Sequence, residues 1–188
     1  MTDPLPPKPL LIHVGYHKTA TTWMQRRLFL PALGYQQIMD HEEVFAHFVR
    51  PHGFAYDAAA AALAVTRAVA AAPQDVVPVI SSEILCGHPF YGARESTEVA
   101  QRLHAAAPHA RILISIREQV GAISSTYMQF LQRGGELTPQ AFFAEAPVVG
   151  YPAFSHAHFR YDRFLRLYAD LFGAENVLVC NQEQLVKD

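Results

Sequence analysis

The chain has 188 residues, of which 51% are hydrophobic and only 17% are charged, and its formal net charge is −2. A composition this apolar excludes a disordered chain, and the near-neutral charge excludes the basic surface that binds nucleic acid or anionic membranes. No apolar run approaches the roughly 20 residues of a membrane-spanning helix, and the prolines before the first strand do not fit a signal peptide. We therefore expect a cytoplasmic protein in which any anion binding is confined to local sites.

Four short apolar segments alternate with segments of helical periodicity along the chain. The predicted strands are residues 10–14, 76–82, 111–116 and 176–180. The predicted helices are residues 22–33, 58–72, 96–107, 118–132, 138–146 and 156–172, with a helical turn or two within 41–49. Residues 35–40 and 147–152 are predicted to be connections. This alternation predicts an α/β fold with a doubly wound, mainly parallel sheet flanked by helices.

The segment that follows the first strand has the layout of an anion-binding loop. Residues 10–23 read LLIHVGYHKTATTW, which is an apolar strand, a tight loop with one lysine and three threonines, and the start of a helix. Lys18 supplies a full positive charge, and the threonine hydroxyls and the first helical N–H groups supply hydrogen-bond donors. The loop is not the nucleotide-binding pattern G-x-x-x-x-G-K-S/T, because Lys18 follows Gly15 by three residues without a second glycine.

The motif HKTATTW resembles the 5′-phosphosulfate-binding loop of sulfotransferases that use 3′-phosphoadenosine 5′-phosphosulfate (PAPS). This resemblance implies a P-loop-type sulfotransferase fold and the release of adenosine 3′,5′-bisphosphate (PAP). It implies that Lys18 neutralises charge on the leaving phosphate and that Trp23 stacks on the adenine, the alternative being that Trp23 packs into the core. The implied donor-binding residues of the loop are His17, Lys18, Thr19, Ala20, Thr21, Thr22 and Trp23.

A second motif begins at the third predicted strand, in the sequence RILISIREQVGAISS. Arg117 stands at the strand end and Ser125 follows eight residues later, about two turns into the next helix. An arginine can hold a phosphate with two hydrogen bonds, and a serine hydroxyl can donate beside it. The spacing resembles the family's 3′-phosphate motif, with Ser124 as the alternative serine, although Glu118 and Gln119 depart from the aspartate-proline or comparable pair common there.

The acceptor hydroxyl needs a general base, and three residues are candidates. Glu83 follows the second predicted strand and resembles the catalytic glutamate of carbohydrate sulfotransferases, although it could instead cap the following turn. His88 is the second candidate and His17 the third. No acidic Mg²⁺-binding motif of the kinase type is present, and no metal is expected. The resemblance thus implies sulfuryl transfer to a hydroxyl or amine of a carbohydrate or small-molecule acceptor.

These groups should converge, because the carboxyl ends of parallel strands meet at one edge of a sheet. The resemblance extends to about residue 185, where NVLVCNQEQL is similar to the family's late strand. Complete members continue with helices and a basic, glycine-containing loop over the nucleotide, so we expect residues 1–188 to be a single sulfotransferase domain that is C-terminally truncated. Two alternatives remain: a non-catalytic nucleotide- or anion-binding module, and a P-loop kinase that phosphorylates a small molecule with ATP and Mg²⁺.

Overall fold

The computed structural model describes residues 9–148 and 150–185. The strands are β1 (Leu11–Gly15), β2 (Tyr35–Gln37), β3 (Val77–Ser82), β4 (Arg111–Ile116), β5 (Pro147–Val148), β6 (Tyr151–Pro152) and β7 (Val177–Asn181). The α-helices are α1 (Thr21–Arg27), α2 (His41–Val44), α3 (Ala58–Ala71), α4 (Ser96–Ala106), α5 (Gln119–Gln132), α6 (Pro139–Phe143), α7 (Tyr161–Phe172) and α8 (Gln182–Leu185). No helix among these residues is both long and apolar enough to cross a membrane.

Within the described residues, a five-stranded sheet has the order β2-β3-β1-β4-β7, and every neighbouring pair is parallel. The chain leaves β1 for β2 at one edge of the sheet and leaves β4 for β7 at the other edge. Because β1 and β4 are neighbours that send the chain in opposite directions, a crevice opens beyond their carboxyl ends. In α/β sheets this crevice is where ligands bind.

Side chains from alternate positions of the strands pack into two layers, one on each face of the sheet. The larger core lies between the sheet and helices α3, α4 and α7, and includes Ile12, Ile112 and Ile114. The opposite face is covered by α1, where Met24 packs with Leu113 and neighbouring residues. Helices on both faces of a parallel sheet confirm the predicted α/β fold class.

The structure differs from the sequence prediction at several connections. Residues 35–37 form the edge strand β2, which lacks the apolar run of the other strands and is defined by its pairing with β3. The strands β5 and β6 pair antiparallel within the segment that was predicted to be a loop. Helix α1 ends at Arg27, and Pro31 opens a separate 3₁₀ turn, so the predicted helix 22–33 is too long.

The predicted helix 156–172 is also interrupted. A 3₁₀ turn covers His156–Phe159, and α7 begins only at Tyr161. Arg160 lies between them with φ −78° and ψ 74°, which is outside the helical region. The interruption lets His158 turn into the protein, where it is buried beside Tyr16.

Candidate active site

The loop between β1 and α1 makes a tight turn at the carboxyl end of the central strand. Lys18 and Ala20 have φ values of 67° and 65°, a left-handed conformation that is uncommon for residues other than glycine. Gly15 permits this path, because a Cβ atom there would lie 2.3 Å from the Thr21 hydroxyl oxygen. The sharp turn therefore folds Thr21 directly over the end of β1.

Beneath the loop lies a network of buried polar side chains that the sequence analysis did not find. His13 is fully buried, with Nδ1 2.8 Å from Ser81 Oγ on β3 and Nε2 3.0 Å from Ser115 Oγ on β4. Ser115 Oγ in turn lies 2.8 Å from Thr19 Oγ1. Burial lowers the pKa of His13 to about 4, so its ring is neutral at physiological pH. The network ties the loop to the three central strands.

Thr19 belongs to this network and not to the surface of the site. Its side chain is fully buried, and its hydroxyl donates to the carbonyl of Tyr16 at 2.6 Å. The HKTATTW motif predicts Thr19 as a donor-binding residue. In the structure its hydroxyl is bonded within the protein and holds the loop in shape, so it faces away from the cavity lining.

A cavity of about 410 Å³ opens at the carboxyl edge of the sheet and brings the predicted groups together. Its lining consists of His17, Lys18, Ala20, Thr21, Thr22, Glu83, Arg117, Gln129 and Gln182. The loop residues come from the end of β1, Glu83 from the end of β3 and Arg117 from the end of β4. A larger cavity of about 850 Å³ lies against the α1 face of the sheet, but its lining is mainly aliphatic and contains none of the predicted site residues.

Several buried polar atoms at the cavity lack hydrogen-bond partners within the described part of the chain. They are Thr21 Oγ1, Gln129 Oε1 and Gln182 Oε1. A buried polar atom left without a partner costs on the order of 1–3 kcal/mol, so native proteins rarely leave several together. The hydroxyl can donate, and either amide can present its N–H₂ group after rotation of the side chain. The hydroxyl and the rotated amides fit an anionic or strongly polar ligand, whereas Glu183 Oε2, which is also buried without a partner among the described residues, fits a hydrogen-bond donor.

Arg117 forms the second cationic part of the cavity. Its Nη1 donates to Ser125 Oγ at 3.2 Å, and its Nε lies 4.0 Å from Glu183 Oε1. Its backbone carbonyl accepts a hydrogen bond from the hydroxyl of Tyr161 at 3.0 Å. The structure thus pairs Arg117 with Ser125, whereas Ser124 is exposed on the same helix.

Glu83 opens the 3₁₀ turn Glu83–Cys86 directly after β3 and is half-buried at the cavity. Its carboxylate accepts no hydrogen bond from any residue that the structure describes, which argues against the alternative in which it caps this turn. A carboxylate that faces a cavity without a partner is available to accept a proton from a bound hydroxyl.

The two candidate histidines differ from Glu83 in that each has one ring nitrogen in a hydrogen bond within the protein. His17 lines the cavity, but its Nε2 lies 3.1 Å from the carbonyl oxygen of Gly87, and burial lowers its pKa. His88 lies outside the cavity lining, and its Nδ1 accepts the N–H of Phe90 at 3.2 Å. Burial also lowers the pKa of His88. Glu83 is therefore the best placed of the three predicted bases.

Of the remaining predicted loop residues, Ala20 and Thr22 line the cavity and Trp23 does not. Trp23 is 49% exposed on the first turn of α1, so it does not pack into the core. Thr22 is exposed and lines the cavity, and Ala20 contributes its left-handed backbone. No cluster of three or more histidine, cysteine, aspartate or glutamate residues that could hold a metal ion occurs among the described residues.

Three further residues of the site were missed by the sequence analysis. Gln182 comes directly after β7, at the strand end where ligand-binding residues are expected in such a sheet. Gln129 lies four residues after Ser125 on α5, and therefore on the same helical face. Glu183 accepts the N–H of Glu118 at 3.0 Å and lies beside Arg117.

Comparison with solved structures identifies the fold around this site. The chain superposes on a sulfotransferase from Alicyclobacillus acidocaldarius with a TM-score of 0.67 and 22% sequence identity, covering 96% of this chain and 76% of that chain. The chain has a sulfotransferase fold. No family model and no curated protein sequence matches it. At this level of identity the similarity establishes the fold, and the function has to be argued from the residues of the site.

Proposed function

We propose that this protein transfers a sulfuryl group from PAPS to a hydroxyl or amine of a carbohydrate or small-molecule acceptor, with release of PAP. The observation that carries the proposal is the composition of one cavity, which holds Lys18, Arg117 and Glu83 at three neighbouring strand ends, with no partner for the Glu83 carboxylate among the described residues. A donor with a phosphosulfate at one end and a 3′-phosphate at the other needs two separate cationic positions, and an acceptor hydroxyl needs a base.

Each part of the donor has residues that would hold it. Lys18, Thr21 and Thr22 would bind the 5′-phosphosulfate, and the unpartnered hydroxyl of Thr21 favours this assignment. Arg117 and Ser125 would bind the 3′-phosphate. The exposed ring of Trp23 would stack on the adenine. Gln129 and Gln182 supply amide groups that can turn their N–H₂ ends towards phosphate or ribose oxygens.

The proposed reaction requires the protein to remove a proton from the acceptor and to stabilise negative charge on the leaving phosphate. Glu83 takes the proton of the acceptor hydroxyl as its oxygen forms a bond to sulfur. Lys18 stabilises the bridging oxygen of the phosphate, which keeps the electron pair of the S–O bond that breaks. Preorganised positive charge at this oxygen lowers the barrier because it requires no rearrangement during the reaction.

The test is a transfer assay with PAPS that is radiolabelled in its sulfuryl group and a mixture of sugars and phenols as acceptors. We expect label in the acceptor fraction with the wild-type chain, and a loss of about a hundredfold or more in Glu83→Gln, the size expected for loss of a general base. PAP affinity should be unchanged in that variant. Glu136→Gln, at an exposed glutamate outside the cavity, is the matched control.

The other outcomes separate the proposal from its alternatives. If the wild-type chain binds PAP but transfers no label, and Glu83→Gln does not change PAP binding, the result would indicate a nucleotide-binding module. Phosphoryl transfer from ATP with Mg²⁺ would indicate a kinase. Transfer that persists in Glu83→Gln at the wild-type rate would remove Glu83 as the base.

A further inference from the structure

A second basic site lies outside the candidate active site. A groove of about 500 Å³ runs between the start of α4 and the segment that leads into α7. We call it the arginine groove and define it by Arg94, Thr97, His158, Arg160 and Arg163, which all line it. None of these residues takes part in the proposed sulfuryl transfer.

Two of the three guanidinium groups are free of acidic partners among the described residues. The Arg163 side chain makes no hydrogen bond or ion pair there, and Arg94 contacts only the ring of Tyr151, with Cζ 4.4 Å from the ring centroid. Arg160 differs, because Asp162 accepts two hydrogen bonds from it at 3.0 Å. The groove therefore presents two guanidinium groups that form no ion pair within the described residues, although Arg163 also borders a second cleft with Asp162 and Asp170.

The floor of the groove contains a buried polar group with an unused atom. His158 is only 9% exposed, and its Nε2 lies 3.9 Å from the sulfur of Cys86. Its Nδ1 has no hydrogen-bond partner in the described part of the chain. The groove also faces the first turn of α4, an 11-residue helix whose N-cap residue, Glu95, makes no capping hydrogen bond. The helix dipole favours negative charge at this end, where the N–H of Ser96 already bonds to the carbonyl of Ala93 and the first turn carries Glu98.

No acidic side chain is among the described residues that line the groove, and the carboxylates around it make other contacts. Glu95 accepts the N–H of His88, and Glu98 pairs with Arg102. Glu145 accepts hydrogen bonds from Ser155 and His156. Asp162 pairs with Arg160, as described above. The positive charges of Arg94 and Arg163 are thus left for a ligand.

The arginine groove is adjacent to the candidate active site. Tyr16 lines the groove, and the next residue, His17, lines the active-site cavity. Gly92 lines the groove on its other side, and the preceding residue, Tyr91, has an exposed ring. This ring offers a flat aromatic face of the kind that packs against sugar rings, whereas the ring of Tyr151 is covered on one face by the Arg94 guanidinium.

We infer that the arginine groove binds an oxyanion group, a carboxylate or sulfate ester, carried by an acidic saccharide that serves as the acceptor. The acceptor role rests on the proposed sulfuryl transfer, whereas the binding of an oxyanion by the groove does not. The same chemistry would also bind a free inorganic anion, so the experiment has to separate the two sources.

The test compares three probes by calorimetry with the wild-type chain: inorganic sulfate, an oligosaccharide that contains uronic acids, and a neutral oligosaccharide of the same length. We expect the acidic oligosaccharide to bind more tightly than either of the others. The double variant Arg94→Ala/Arg163→Ala should weaken it by about tenfold or more, the size expected for lost hydrogen bonds to a charged group. Arg166→Ala, an exposed position on the same helix outside the groove, should leave the affinity unchanged.

PAP is titrated into the same samples, and its affinity should not change in any of these variants. Binding of the acidic oligosaccharide that is unaffected by the double variant would overturn the inference. Equal affinity for inorganic sulfate and the acidic oligosaccharide would overturn the acceptor role. Failure of PAP to bind, together with saccharide binding that depends on the two arginines, would overturn the proposed function and support the groove.

Discussion

Two sets of polar side chains lie on either side of the loop between β1 and α1, and they differ in whether their hydrogen bonds are made. Below the loop, His13, Ser81, Ser115 and Thr19 are buried and joined in one network. Above it, Thr21, Gln129 and Gln182 have buried polar atoms without partners among the described residues. Because unpaired buried polar atoms destabilise a fold, the first set serves the structure and the second set fits a ligand.

Replacing each threonine with valine tests whether the two sets differ in role, because valine has nearly the same shape without the hydroxyl. Thr19→Val should lower the free energy of unfolding by about 2 kcal/mol, since it leaves Ser115 and the carbonyl of Tyr16 without their bonds to the hydroxyl. Urea unfolding followed by circular dichroism measures this change.

Thr21→Val is the matched control, and it should weaken PAP binding without lowering stability. Its hydroxyl has no partner to lose within the described residues, so the free energy of unfolding should stay the same or rise. PAP affinity should fall by about tenfold, the size of one hydrogen bond to a charged group. Equal losses of stability in the two variants would contradict the distinction between the two sets.

The pH dependence of stability tests the buried network with a smaller expected effect. The pKa of His13 is lowered from 6.5 to about 4, so between these values the unfolded chain binds a proton that the folded chain does not. Stability from this group is therefore complete above pH 6.5 and is lost as the pH falls towards 4. The loss is at most about 2 kcal/mol between pH 6.5 and pH 5.

His13→Gln removes this titrating group, so its free energy of unfolding should fall less steeply over the same pH range. His158, whose pKa is lowered to about 3 by burial, adds to the loss in both proteins, as do His17 and His88, whose pKa values burial also lowers. Urea unfolding of both proteins at pH 7, 6 and 5 measures the difference. Parallel curves would show that His13 is not buried in its neutral form.

The sequence predicted the strand-end residues that line the cavity, but not the buried hydrogen-bond network beneath the loop. The strands β1, β3, β4 and β7 are apolar runs. Glu83 and Arg117 directly follow two of them and Lys18 lies three residues after a third, so the local pattern was enough to predict these positions. The His13 network could not be predicted, because it depends on the sheet order that places β3 and β4 on either side of β1.

The different roles of Thr19 and Thr21 could not be predicted from the sequence either. Thr19 and Thr21 are alike in the sequence, and only the left-handed backbone at Lys18 and Ala20 turns one inward and the other to the cavity. Gln129 belongs to a long helix whose pattern carries no sign of function, and the edge strand β2 is recognisable only by its pairing.

The most direct test of the proposed site is calorimetric titration of the 188-residue chain with PAP and, separately, with ATP and Mg²⁺. We expect PAP to bind and ATP to bind more weakly. Arg117→Ala should weaken PAP binding by about tenfold to a hundredfold, because a charge-assisted contact to phosphate is lost. Arg111→Ala, at the other end of β4, is the control and should bind PAP as the wild type does. Preference for ATP, or PAP binding that does not depend on Arg117, would contradict the proposed site.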